Sequence, residues 1–290
     1  MPRFRIYNTS LWHWVATNGR SMLSAVQLPE WLDAFLFDTL EAQYCRTNSD
    51  MTVIDWDRSN IKNYLGTYFP RSYCESYCIW NEFLTKKDTF FTGDSISILD
   101  FGCGTGGEFF GLISAIEQHR PNIKNIIVKA FDGNQFALRE FEAVADEYQK
   151  QSCLKIEYKP SAVTIDDIYD LEILNNIFSN DYDIIISFKA VCEFVTKQQF
   201  EERNPYEHLG NFLLPKLKED GVLLFVDVTS YNDTCHEWLP KMMDKGLSEH
   251  LGIIIWKNEG YNHTFTVSHS HKYGDISKVA WRMIQKTNNY

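Results

Sequence analysis

Residues able to do chemistry gather at three places along the 290-residue chain. The first is Ser97-Ile98-Leu99-Asp100-Phe101-Gly102-Cys103-Gly104-Thr105-Gly106-Gly107-Glu108, in which four glycines fall within six positions just after an acid. Glycine lets a backbone turn sharply and approach a ligand closely, and a helix starting near Glu108 would offer unpaired N–H groups to that ligand. Asp100 could then hold a cationic or hydroxyl-bearing ligand, or its own backbone turn. The second place is Asp132-Gly133-Asn134, at the end of the apolar run 126–131. A carboxylate there can accept both hydroxyl hydrogens of a ribose. The alternative is that Asp132 caps the helix that follows. The third place is Lys189 with Glu193, a lysine suited to orienting an anionic substrate and a carboxylate suited to acting as a base. A charged pair at a helix start serves structure equally well.

These groups need a sheet to bring them together. From Ile96 onward strands alternate with helices, which predicts a parallel sheet covered on both faces. The expected strands are 96–100, 126–131, 154–158, 182–188 and 222–228, followed by three strand segments at 253–256, 263–270 and 279–285. Residues 1–95 read instead as helical. Pro29 opens one helix, and Ser59 is the expected N-cap of a second that Pro70 ends or restarts. Tyr64, Tyr68, Arg71 and Tyr73 cluster around that proline, either as core packing or as a cap that closes over the glycine turn. The expected organisation is therefore a helical cap and acceptor-recognition region over 1–95 and a ligand-binding domain over 96–290.

Hydrophobic residues make up 44% of the chain and charged residues 23%, an ordinary globular composition. The formal net charge of −11 disfavours free nucleic acid as a partner. No run of 18 apolar residues and no signal layout is present, so a membrane is not an expected partner and the expected compartment is the cytoplasm. The seven cysteines are odd in number and widely spaced, which points to reduced thiols. Cys74 and Cys78, and likewise His263, His269 and His271, lack neighbours that would complete a metal site, so no metal is expected.

The strand–Asp–x–Gly–x–Gly–x–Gly pattern at Asp100, Gly102, Gly104 and Gly106 resembles the first motif of class I S-adenosylmethionine-dependent methyltransferases. The likeness spans about 96–285. It implies an α/β fold: a seven-stranded Rossmann-like sheet with helices on both faces, its last strand inserted antiparallel, here with an N-terminal helical cap. It implies S-adenosylmethionine as cofactor, held by Asp100, Phe101, Gly102, Cys103, Gly104, Gly106, Asp132, Gly133 and Asn134. Ser187 and Phe188, where the fourth strand ends, would face the transferable methyl group, with Tyr64 and Arg71 joining from the cap. Lys189, Glu193 and Tyr73 are the expected catalytic residues. The family often places an acid after the third strand to meet the adenine amino group; Ser161 stands here instead, with Asp166 and Asp167 beyond it. Enzymes that methylate exocyclic base amines carry Asn/Asp-Pro-Pro-Tyr/Phe where this chain has Ser187-Phe188-Lys189-Ala190, so that subclass is disfavoured. Tyr64–Tyr73 with Ser187–Glu193 also look similar to methyltransferase-like proteins of the small ribosomal subunit, whose cysteine cluster is missing here. The expected activity is methyl transfer to a small molecule or a protein, with RNA third. The competing expectation is an inactive S-adenosylmethionine-binding or adaptor protein that keeps the fold.

Overall fold

The computed structural model describes residues 22–45, 57–165, 167–175, 177–178, 181–196, 198–247 and 252–286. Its strands are β1 (Ala25–Gln27), β2 (Ser95–Phe101), β3 (Asn125–Asp132), β4 (Lys155–Ala162), β5 (Tyr182–Phe188), β6 (Leu217–Val228), the short pair β7 (Tyr231–Asn232) and β8 (Glu237–Trp238), then β9 (Gly252–Lys257), β10 (His263–His269) and β11 (Lys272–Lys286). The helices are α1 (Glu30–Ala34), α2 (Arg58–Lys86), α3 (Gly107–His119), α4 (Gln135–Gln151), α5 (Glu172–Asn175), α6 (Val191–Phe194), α7 (Gln199–Glu202), α8 (Pro205–Leu213) and α9 (Leu239–Leu247).

Period-two alternation puts successive side chains of a strand on opposite faces, and here both faces are apolar. Ile96 and Ile98 of β2 enter one core with Leu65 and Phe69 of α2, Phe110 of α3 and Phe141 of α4. Leu99 and Phe101 enter the other, with Leu174 of α5, Leu209 of α8 and Met243 of α9. The sheet order is β1-β10-β11-β6-β5-β2-β3-β4, with β9 also paired to β11. Strands β2 to β6 pair in parallel, and β11 runs antiparallel beside β6, as the closing strand is expected to. The order reverses between β5 and β2, and ligands of open α/β sheets bind at the carboxyl ends of strands flanking such a reversal. Pro160 sits in β4, an outermost strand, where its missing N–H costs no ladder bond on the solvent side.

Three expectations change. The sheet holds nine strands, not seven, because the hairpin strand β10 is added beside β11 and the N-terminal region, expected to be helical, supplies β1 along β10. α2 is capped by Asp57, whose Oδ1 accepts from the Asn60 N–H at 2.9 Å, rather than by Ser59. Pro70 neither ends nor restarts α2, which runs unbroken for 29 residues. A proline inside a helix costs about 3 kcal/mol. Burial of Leu65, Phe69, Tyr73, Trp80 and Leu84 along the same helix offsets that cost, since each fully buried side chain is worth about 1.5–3 kcal/mol. Asp166 lies outside the described residues.

α2 and α3 meet along a seam without side chains on one side. A Cβ on Gly107 would collide with the Phe69 carbonyl, and one on Gly111 with the Tyr73 carbonyl. No helix among the described residues is long and apolar enough to cross a membrane.

Candidate active site

The glycine turn hangs from the end of β3. The N–H groups of Gly102 and Cys103 both donate to the Phe131 carbonyl at 2.9 Å, and the Gly104 N–H donates to Asp132 Oδ2 at 2.8 Å. Gly102, Gly104 and Gly106 take φ of 73°, 48° and 83°, values an L side chain rarely adopts. Asn134, not Asp132, caps α4, accepting from the Phe136 and Ala137 N–H groups at 2.8 and 3.2 Å. Asp132 is left to brace the turn: Oδ1 accepts from the Asn134 N–H and Oδ2 from Gly104, with a further lone pair on each oxygen.

Beneath the turn lies an unusual concentration of acid. Asp100 is fully buried, and neither carboxylate oxygen has a hydrogen-bond partner. Burial, then the neighbouring Glu108 and Asp132, hold its carboxyl well above the ordinary carboxylate range. Glu108, in the first turn of α3, is pushed up to about 8, first by burial and further by Glu75 and Asp132, against the pull of its own N–H and Lys189. Burial also raises Asp132, against its two N–H donors.

Strand register brings the third group of residues to the same edge. Asp100 is level with Ile186, which is level with Leu224, so Lys189 and Asp227 each project three residues beyond that line. Lys189 adopts φ of 57°, an uncommon conformation for a non-glycine residue. Its N–H donates to the Val226 carbonyl at 2.7 Å, and its ammonium is paired with the fully buried Glu75 of α2 at 2.7 Å. The lysine is thus engaged by α2. Asp227 is buried, accepting from the Tyr206 hydroxyl at 2.9 Å and the Val228 N–H at 2.8 Å, and burial raises its carboxyl. Glu193 has an exposed surface; enclosure by neighbouring protein first, then the like charge of Asp132 and Asp227, raises its carboxyl against the pull of Lys189.

α2 forms a wall of the site. The Tyr64 hydroxyl lies 3.0 Å from where a Cβ on Gly104 would stand, and its ring stacks on Tyr68 at 5.0 Å. Burial raises the Tyr64 phenol, with Glu193, Glu108 and Asp132 contributing in turn. Two cap residues are not brought to the turn. Arg71 forms a two-pronged ion pair with Asp275 of β11 at 2.7 and 2.9 Å, and Tyr73 donates to Ser114 Oγ of α3 at 3.1 Å within the helix seam. Of the strand-end residues, Phe101 packs into the core with Phe131 and Phe178, so only its backbone belongs to the turn. Cys103 and Phe188 are buried, and a Cβ on Gly133 would stand in ordinary contact with Val163 and Thr164, the nearest atom at 3.7 Å. Ser187 is buried with an unpartnered hydroxyl. Ser161 accepts from Lys129 Nζ at 2.6 Å.

Glu75 and Asp227 went unnoticed as candidates, though each carries a sequence signal: Glu75 is the one charge in Ser72–Trp80, and Asp227 the one charge in Val222–Val228. A lone carboxylate in an apolar run has to be buried, and a buried carboxylate needs a reason. Among the described residues no group of three or more His, Cys, Asp or Glu side chains could hold a metal ion. A separate groove of about 460 Å³ lies at the opposite end of the sheet, lined by Phe90, Gly93, Asp183, Gly221 and Gln285 among others, away from every residue above.

No protein-family model and no curated protein matches the chain. Among solved structures it is similar to a methyltransferase from Pyrococcus furiosus (11% identity, 72% of this chain and 82% of that one, TM-score 0.44). It is likewise similar to a precorrin-6Y C5,15-methyltransferase from Geobacter metallireducens (15%, 74% and 89%, 0.44) and to the CurJ carbon methyltransferase (14%, 73% and 54%, 0.45). Likenesses this distant carry no weight for activity or ligand, which rest on the site's own residues.

Proposed function

We propose that this chain is an S-adenosylmethionine-dependent methyltransferase acting on a small-molecule or protein acceptor. The observation that carries the reading is Asp100: a fully buried carboxylate without a partner, under a glycine turn, beside Glu108 and Asp132. Leaving a buried acid unpaired is costly, and a cationic ligand relieves that cost. S-adenosylmethionine brings a sulfonium and an ammonium together with a ribose, and the glycine turn with Asp132 suits that nucleoside part. A nicotinamide dinucleotide would instead bring an anionic pyrophosphate to three acidic side chains, none of which can offer it positive charge and whose ionisation it would oppose.

When bound, the sulfonium supplies an electrophilic methyl group. The residues of this chain then have to bind, align and exclude water. Asp132 and the turn hold the nucleoside, Asp100 and Glu108 receive positive charge, and the stacked Tyr64–Tyr68 pair walls the turn from solvent. Lys189, clamped by Glu75, fixes the end of β5 rather than reaching for substrate.

Titration calorimetry with S-adenosylmethionine and NAD tests the reading. Binding of the first and not the second is expected; the reverse overturns it. Release of S-adenosylhomocysteine in the presence of native cell extract separates an enzyme from an adaptor, which would bind without transferring.

A further inference from the structure

Tyr64, Tyr68 and Arg71 recur at helical spacing on one stripe of α2, and each touches the next. Tyr64 stands over Gly104 of the glycine turn. Its ring stacks on Tyr68 with centroids 5.0 Å apart and planes 20° from parallel. The Arg71 guanidinium lies over the Tyr68 ring, 5.5 Å from its centroid. Asp275 of β11 grips that guanidinium in turn, with Nε donating to Oδ2 at 2.7 Å and Nη2 to Oδ1 at 2.9 Å. Asp275 is buried, and its Oδ1 also accepts from the Tyr44 hydroxyl at 3.2 Å. A continuous series of contacts therefore joins the glycine turn to β11.

The β10–β11 pair is irregular where it presents this carboxylate. Its register shifts between Val267, which is opposite Asp275, and His269, while Gly274 takes φ of 63°. Bulges of this kind re-aim a side chain beside a site. A two-pronged pair fixes the plane of a guanidinium as well as its position, which the point charge of a lysine ammonium could not do. A fixed plane is of use to a partner lying against it, and here that partner is the Tyr68 ring. An ion pair that only held α2 on the sheet would need the charge and not the plane.

We propose that Arg71 and Asp275 are positioning residues for the cofactor wall: through Tyr68 they hold Tyr64 over the glycine turn, and so set how long the nucleoside of S-adenosylmethionine is retained. This rests on the methyltransferase reading above. Neither residue touches the nucleoside, so the clamp acts on release. While it holds, Tyr68 cannot swing without leaving both Tyr64 and the guanidinium. Once it is broken, Tyr68 keeps one of those two neighbours and the wall opens more often.

The test binds radiolabelled S-adenosylmethionine to the full chain and chases it with excess unlabelled ligand, with thermal unfolding followed on the same preparations. Arg71→Lys keeps the charge facing Asp275 but removes the plane. It should release label about tenfold faster, the scale of a cation–π contact, with its melting temperature little changed. Release at the wild-type rate would mean that the pair is packing alone, and would overturn the proposal. Tyr68→Leu removes the relay and should release label at least as fast as Arg71→Lys. Adding Arg71→Lys to Tyr68→Leu should then change release no further, and factors that multiply in the double variant overturn the relay. Asp275→Asn should match Arg71→Lys in release, whereas a lower melting temperature with unchanged release overturns its positioning role. A wild-type chain that binds no S-adenosylmethionine defeats the methyltransferase reading and the proposal with it. Binding with release insensitive to all of these changes defeats the clamp alone.

Discussion

The coupled acids under the glycine turn make cofactor binding depend on pH in a calculable way. Glu108 has its carboxyl at about 8 in the folded protein, against 4.5 for an ordinary glutamate. Under the proposed reading a cationic ligand favours its ionised form. At pH 8 about half of that group is ionised and at pH 6 about one part in a hundred, so affinity should fall roughly fiftyfold between them, or about 2.3 kcal/mol. Asp100, raised by burial and then by Glu108 and Asp132, steepens the slope. Calorimetry at pH 6, 7 and 8 in buffers of different ionisation enthalpy reads both the affinity and the protons released, close to one per ligand at pH 7 from Glu108 alone. Glu108→Gln should flatten the slope by about one decade per pH unit. The ligand-free protein should move the other way. A carboxyl raised on folding contributes stability that is complete below pH 4.5 and is lost as pH rises through about 8. The free protein should therefore melt lower at pH 8.5 than at pH 6, a difference reduced in Glu108→Gln. A wild-type affinity that changes less than twofold across this range would refute the coupling.

Asp132→Ala removes two charge-assisted bonds to backbone N–H groups, each worth about 1.5–3 kcal/mol, so it should weaken S-adenosylmethionine binding at least tenfold and also lower the melting temperature, read by calorimetry and thermal unfolding. Glu75→Gln strands the half-buried Lys189 ammonium and should cost up to about 3 kcal/mol in denaturant titrations, while the pair Glu75→Gln with Lys189→Met should recover most of that loss. Gly111→Ala would improve helix propensity in a free peptide, yet the new Cβ meets the Tyr73 carbonyl, so unfolding curves should show about 1–3 kcal/mol of destabilisation.

The sheet is legible in the sequence because its strands are nearly continuous apolar runs with acids at their tips, a pattern that one buried surface on each side requires. The expected bounds of the run 182–188 coincide with β5, and the glycine turn lies where Asp100 and the glycines announce it. Three-residue β1 carries no period to read, and it exists only because β10 offers it an edge. Pro70 misleads for a related reason: local chemistry argues for a break, but the apolar face on both sides of it is long enough to overrule one proline. Arg71 and Tyr73 looked equivalent to Tyr64 by position, yet helical geometry turns Tyr73 into the seam and hands Arg71 to Asp275, a partner 204 residues away. Pairings across that distance leave no local mark. Glu75 shows the reverse, a partner that becomes predictable once its isolation in an apolar helix is noticed.

The seam between α2 and α3 sets how a ligand gets in. Backbone touches backbone at Gly107 and Gly111, so displacing α2 would drag the first turn of α3, and with it the glycine turn that Gly106 closes. Opening by helix excursion would dismantle the very surface it is meant to uncover. Under the proposed reading, entry falls instead to side-chain rotation of Tyr64, which stands over Gly104, and of Tyr68 stacked on it, and not to a hinged lid moving on the microsecond-to-millisecond scale. Cofactor capture should therefore show a single phase whose rate rises linearly with concentration, and tethering the two helices together should leave that rate unchanged.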